Sequence, residues 1–211
     1  MEVTDLSAKA GRTRAALLDA VERLLGAGAD PGSAAVAAEA RVATGTFYRY
    51  FSDRDDALAA AFARRLDDLI DGVEAALDPA RVLDVGVAAV LDEVVDRVAD
   101  GYAESGPVIA AALARLRASE PIRGVYRSRH SRATTVLATF LRRVDRAGMV
   151  AVEDGGATAV AVVVLVEGLN HPALRTDPQG AVRRRVAVGL RAVVGVPSDA
   201  ERNVPITGGD V

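Results

Sequence analysis

Leu17, Leu18, Val21, Leu24 and Leu25 stand at i, i+1, i+4, i+7 and i+8 of the stretch TRAALLDAVERLLGAG, a one-sided stripe with the period of an amphipathic helix. The same period returns along the chain, and it constrains the fold more than any other feature. Leu58, Phe62, Leu66, Leu69, Ile70 and Val73 form a second long stripe. Alternating, β-patterned runs are scarce. Half of the 211 residues are apolar, enough for a sizeable core, and Ala, Leu and Val dominate them. Ala and Leu lose little side-chain entropy in a helix. An all-α fold follows.

The pattern predicts about nine helices. The first starts with Thr13 or Ser7 as its cap and stops at Gly26 and Gly28. The second is short, with Asp30 as N-cap and Pro31 at the first helical position, Ser33 being the competing cap. It ends near Ala40, burying Val36, Ala37 and Ala40. A turn and a third short helix follow in RVATGTFYRYF, with Val42, Phe47 and Phe51 facing inward. Ser52 or Asp53 caps the fourth, and Asp78 to Ala80 break it. A fifth runs to a break at Ser105 to Pro107, and a sixth follows it. The seventh lies between Ser119 and Gly148. The eighth, GGATAVAVVVLVEGLNHPAL, is apolar nearly all round until Pro172. The ninth precedes an irregular tail over 197–211. No internal repeat is visible. Residues 1–55 and 56–196 are expected to be two functional parts.

Composition excludes several classes. There is no cysteine, so disulfides and Cys-based metal sites or catalysis are ruled out. No catalytic set, cofactor motif or metal cluster is evident, so an enzyme is not expected. RVLDVGVAAV (Arg81 to Val90) resembles the glycine-rich nucleotide loop of methyltransferases, but Ala88 replaces the second glycine and no β-α alternation follows. Glu167 and His171, at i and i+4, are two metal-ligand types without a third. The N-terminus has no apolar leader core, and the most apolar run spans about ten residues, too short for a bilayer. A cytoplasmic location with no membrane contact is expected.

The net charge of −3 does not announce a polyanion partner, and residues 1–55 hold seven Lys/Arg against eight Asp/Glu. Yet TGTFYRYF, Thr44 to Phe51, collects four of the chain's eight aromatic rings. A short helix, a tight turn and another short helix make a helix-turn-helix, whose second helix enters a DNA major groove. Phe47, Tyr50 and Phe51 are read as the packing side. On the other side Gly45 lets a backbone approach DNA. Thr44 and Thr46 suit phosphates or a thymine methyl, Tyr48 suits a phosphate, and Arg49 suits a base edge or a phosphate. Arg14, Ser33 and Arg54 complete the expected DNA-binding set.

These residues resemble the TetR-type transcriptional regulators, whose pattern runs from "tR..Il.AA..lf...G" to "tTv.dIA..AGVS.gtlYryF.sKe.L". The matching stretches here are TRAALLDAVERLLGAG and VAAEARVATGTFYRYFSDRDDAL, roughly residues 13–58, most closely Gly45 to Phe51. Three departures stand out. Arg41 replaces the family's glycine, Ala43 replaces its serine, which removes a phosphate donor, and Pro31-Gly32 replaces its threonine pair. Arg54 keeps the charge of the usual lysine.

The resemblance implies a repressor released from a pseudo-palindromic operator by a small-molecule effector, with a homodimer formed by the last two helices and a cavity among helices five to eight. The chain itself supports the dimer, since AVAVVVLVEGL is too apolar to face solvent and Ala159, Ala161 and Gly168 permit close packing. Candidate ligand-binding residues are Arg97, Tyr102, Tyr126, His130, Phe140, Glu167, Asn170 and His171. The alternative is a helical small-molecule-binding dimer with weakened or lost DNA regulation. Residues 115–146 hold nine arginines against Glu120 and Asp145, read either as a solvated face or as a site for an acidic ligand or partner.

Overall fold

The structure is a computed structural model that describes residues 2–171 and 180–196. The expected helix stop at Pro172 and the irregular tail over 197–211 lie outside these residues. Among the described residues the chain is all-α, with eight α-helices: α1 (Glu2–Gly26), α2 (Ser33–Glu39), α3 (Thr44–Tyr48), α4 (Arg54–Ala76), α5 (Pro79–Arg115), α6 (Glu120–Arg146), α7 (Gly155–Glu167) and α8 (Ala181–Val194), with a 3-10 turn at Gly168–Asn170. The described residues of Met1–Ile70 and Glu104–Ser131 pack as one compact unit. Those of Asp71–Ala103 and Arg132–Val211 form another.

The helix count is close to the expected nine, but the expected break at Ser105 to Pro107 does not occur, and α5 instead joins two helical segments across Gly86. Pro107 sits inside α5. A proline there forfeits one backbone hydrogen bond and crowds the carbonyl four residues back. Val98, Ala99, Val108, Ile109 and Ala112 are buried on either side of it. The real interruption is Gly86, with φ 83° and ψ 163°, a region essentially reserved for glycine. The glycine of RVLDVGVAAV thus kinks a helix. Arg81, before the kink, and Arg97, after it, both bind Glu93, at 2.5 and 2.8 Å. The two guanidiniums, Arg81 foremost, hold the Glu93 carboxyl below the usual range.

Two expected caps are also corrected. Thr13 and Ser7 lie inside α1, and the Thr13 hydroxyl donates to the Lys9 carbonyl four residues back, at 3.0 Å. Gly32, without a side-chain bond, is the N-cap of α2, so neither Asp30 nor Ser33 caps it. The carboxylate of Asp30 is occupied instead by the Arg54 guanidinium, at 2.8 and 2.9 Å. At α4 the expectation holds: Asp53 accepts from the Asp56 N–H at 2.9 Å, and Asp56 reaches back to the Ser52 N–H at 2.9 Å.

Helix α2 ends in a Schellman motif. The Val42 N–H donates to the Ala37 carbonyl at 2.9 Å, and the Arg41 N–H donates to that of Ala38 at 3.0 Å. The motif needs a left-handed residue, and here that residue is Arg41, with φ 56°. Gly28, closing α1 in the same way, has φ 71°. Arg41 is the non-glycine residue with positive φ among the described residues. A side chain in that conformation costs about 1–2 kcal/mol.

Within the first unit Arg115, at the end of α5, grips Asp55, in the first turn of α4, through Nε–Oδ1 at 2.6 Å and Nη2–Oδ2 at 2.7 Å. The Arg115 hydrogen bond holds the Asp55 carboxyl below its usual range, against the opposing effect of desolvation. Because the folded pKa is depressed, the stabilisation is complete above the unfolded value of about 4 and is lost as pH falls through the folded value. Asp55→Asn should therefore cost about 1–3 kcal/mol at pH 7. In urea unfolding, the gap to the unaltered protein should narrow below about pH 4. A gap unchanged down to pH 3 contradicts this assignment.

Candidate nucleic-acid interface

Helix α3 has five residues, far too few to be stable alone, so packing must hold it. Phe47 supplies the anchor with no exposed surface. Its ring meets Tyr48 edge-on at 5.3 Å and Phe51 at 5.5 Å. Phe51 is also buried, and the Arg14 guanidinium of α1 lies over its ring at 5.6 Å. Helix α2 packs against both α1 and α3. Tyr50, read as core, is only half-buried, as are Val42 and Ala40.

The opposite side of α3 is open. Thr44, Gly45 and Arg49 are exposed, Thr46 is half-buried, and Tyr48 is 56% exposed. A Cβ placed on Gly45 would meet nothing within 4 Å. No internal contact requires that glycine. The Tyr48 hydroxyl lies 2.9 Å from the Ser33 hydroxyl, where α2 begins. Two members of the expected DNA-binding set therefore touch each other, and the bond orients the tyrosine tip.

The structure also shows how the charges are used. Glu39 pairs with Arg23, at 2.6 Å, and Asp30 with Arg54. Glu22 takes both Arg64, at 2.7 Å, and Arg65, while Asp19 takes Arg64 at 2.8 Å. Asp55 takes Arg115. Three of these arginines lie beyond residue 55, so the near balance of charge in residues 1–55 understates the basic side. Among the described residues, the exposed Arg12, Arg14, Arg41 and Arg49 pair with no carboxylate. Of the eight residues expected to touch DNA, Arg54 alone among the described residues is held by carboxylates, Asp30 at 2.8 Å and Asp55 at 4.0 Å.

The candidate ligand-binding residues do not form a single set. In the first unit, the rings of Tyr126 and His130 stack at 6.0 Å. In the second, Phe140 is buried, Tyr102, Glu167 and Asn170 are half-buried, His171 is exposed, and exposed Arg97 is engaged by Glu93. The second unit carries an open cleft of about 740 Å³ between α5 and α8, lined by Asp92, Val95, Asp96 and the arginines Arg183, Arg184 and Arg191. None of the candidates lines it. Its walls mix those charged residues with Val95, Ala187 and Val188, and they come from stretches far apart in the chain, so no local sequence pattern marks it.

The arginine-rich stretch of 115–146 is mostly matched by carboxylates. Arg129 binds Asp67 at 2.7 Å, Arg132 binds Asp71 at 2.5 Å and Glu74 at 3.3 Å, and Arg123 and Arg127 share Glu120. On α7, Ala159, Val162, Val163 and Val166 are buried, while Val160, Val164 and Leu165 remain exposed. Helix α8 packs on α7 and exposes Val182, Val188 and Val193. No helix among the described residues is long and apolar enough to cross a membrane.

No protein-family model and no curated protein matches the chain. Solved structures do. A TetR transcription regulator from Haloarcula marismortui aligns over 87% of this chain and 97% of its own, with a TM-score of 0.69 and 16% identity. SmeT in complex with triclosan aligns over 95% and 98%, with a TM-score of 0.67 and 20% identity. The fatty acid degradation regulator FadR from Bacillus halodurans aligns over 89% and 99%, with a TM-score of 0.64 and 16% identity. At these identities the likeness is one of fold.

Proposed function

We propose that the chain is a TetR-type transcriptional regulator, a homodimer that grips operator DNA with the open side of α3 and releases it when a small molecule binds. The observation that carries this reading is the division of α3 itself. One side is clamped by buried Phe47, and the other presents Thr44, Gly45, Thr46, Tyr48 and Arg49, with Glu39 and Asp30 already paired to arginines. Gly45, which nothing inside the protein requires, suits a helix whose backbone meets another molecule. In this reading residues 1–55 form the head that contacts DNA, and residues 56–196 hold effector and partner.

Two such heads related by a two-fold axis match a pseudo-palindromic operator. The apolar residues left open on α7 and α8 support the dimer, since their burial against a second copy is favourable. Effector binding drives release to the extent that it favours a state whose heads are misplaced for DNA. The sparse polar groups in the C-terminal helices suit a mainly apolar effector, and SmeT, of the same fold, was solved with triclosan.

The test is a titration of duplex DNA, selected by the protein from genomic fragments, with the unaltered protein and with Tyr48→Phe. The variant loses only the exposed hydrogen bond to the Ser33 hydroxyl and keeps the ring, so the fold should be unchanged. Loss of a phosphate contact in both subunits should weaken binding by about 1–3 kcal/mol, a factor of roughly 5–150. Equal affinity would remove Tyr48 from the contacts.

A further inference from the structure

Arg41 is exposed, pairs with no carboxylate among the described residues and holds a left-handed conformation at the turn between α2 and α3. Among the described residues no hydrogen bond or ion pair uses the Arg41 side chain. The Schellman hydrogen bonds use only its backbone, and a glycine would make them without strain. Backbone strain that no internal contact of the side chain explains is a mark of a functional position.

Its position says what that is. In a helix-turn-helix the first helix crosses the DNA backbone, and the second enters the groove by its N-terminal end. The connecting turn lies where those two approaches meet, at the edge of the groove. Arg41 stands two residues before Ala43, the N-cap of α3, so their Cα atoms are at most about 7.6 Å apart. Ala43 has no side-chain donor to offer. A guanidinium is always charged, and its planar fork suits phosphate oxygens.

We propose that Arg41 is a phosphate clamp at the turn, supplying from the left-handed position a charged contact that Ala43 cannot make. The proposal rests on the DNA-binding reading above. It assigns Arg41 a positioning contact, one that sets grip and register without reading sequence.

The experiment uses the full chain, a duplex selected by the unaltered protein, and three variants. Arg41→Gln keeps the strained backbone and loses the charge, Arg41→Lys keeps the charge, and Arg41→Gly loses both charge and strain. Arg41→Gly should raise Tm by roughly 2–4 °C. Arg41→Gln should leave Tm unchanged. Both should bind the duplex about tenfold or more weakly, and the slope of log K against log salt should flatten by about 0.9 per subunit. Arg41→Lys should keep the slope. Preference among duplex sequences should be the same for all. A residue with only a structural role would not combine higher stability with weaker binding. If the unaltered protein binds and Arg41→Gln matches it in affinity and slope, the clamp is wrong and the DNA-binding reading stands. If the unaltered protein binds no duplex even at low salt, the reading fails and the clamp with it.

Discussion

Phe47→Ala is expected to remove about 3–5 kcal/mol of stability. Phe47 is one of the largest side chains with no exposed surface, and it is the principal anchor of α3. Its ring packs against both Tyr48 and Phe51, so its removal also loosens the tyrosine that the open side presents. Five residues cannot stay helical without such an anchor. In urea unfolding the variant should have a clearly lowered midpoint, and at temperatures where it remains folded its affinity for duplex DNA should still be reduced. A loss below about 1 kcal/mol would mean that the helix is held elsewhere. Tyr48→Phe is the matched comparison, since it touches the same cluster from the solvent side and should not change the midpoint.

The second large effect concerns assembly. Val164 is 57% exposed on α7, and Val188 is equally exposed on α8. In a monomer, an aspartate at either position would be tolerated at the surface. In a dimer through these helices, it would place a carboxylate opposite its own copy in an apolar contact. Val164→Asp should then cost at least about 2 kcal/mol of association, and the double variant with Val188→Asp about 4 kcal/mol or more. That corresponds to dimer dissociation constants raised by roughly 30-fold and 1,000-fold, measurable by sedimentation at falling protein concentration. Leu83→Asp is the control, because Leu83 is 76% exposed but lies on α5. A Val164→Asp protein as dimeric as the unaltered one would place the interface elsewhere.

The helices that periodicity revealed were those whose stripes are long: Leu17, Leu18 and Val21 on α1, and Leu58, Phe62 and Ile70 on α4, are all buried. The aromatic cluster was legible too, since rings at 47 and 51 fall one helical turn apart. What the sequence hid were effects decided by tertiary contact. Pro107 reads as a break because its local cost is certain, and nothing in the local sequence shows that the helix continues through it. Gly86 reads as a helix residue because a left-handed φ leaves no mark in composition. Asp30 reads as a cap because its partner, Arg54, is 24 residues away. The apparent neutrality of residues 1–55 failed for the same reason: Arg64, Arg65 and Arg115, which neutralise Asp19, Glu22 and Asp55, lie outside that stretch. The strain at Arg41 was half-legible, as a departure from the TetR pattern whose backbone cost appears only as φ 56°.

The central claim, that the open side of α3 grips duplex DNA, is tested most directly by the unaltered protein's own titration across salt. The account predicts binding to the selected duplex that weakens steeply as salt rises, with log K falling linearly against log salt as phosphate contacts in two heads release their counterions. A protein that binds no duplex even at low salt would contradict it and leave a helical small-molecule-binding dimer as the better account.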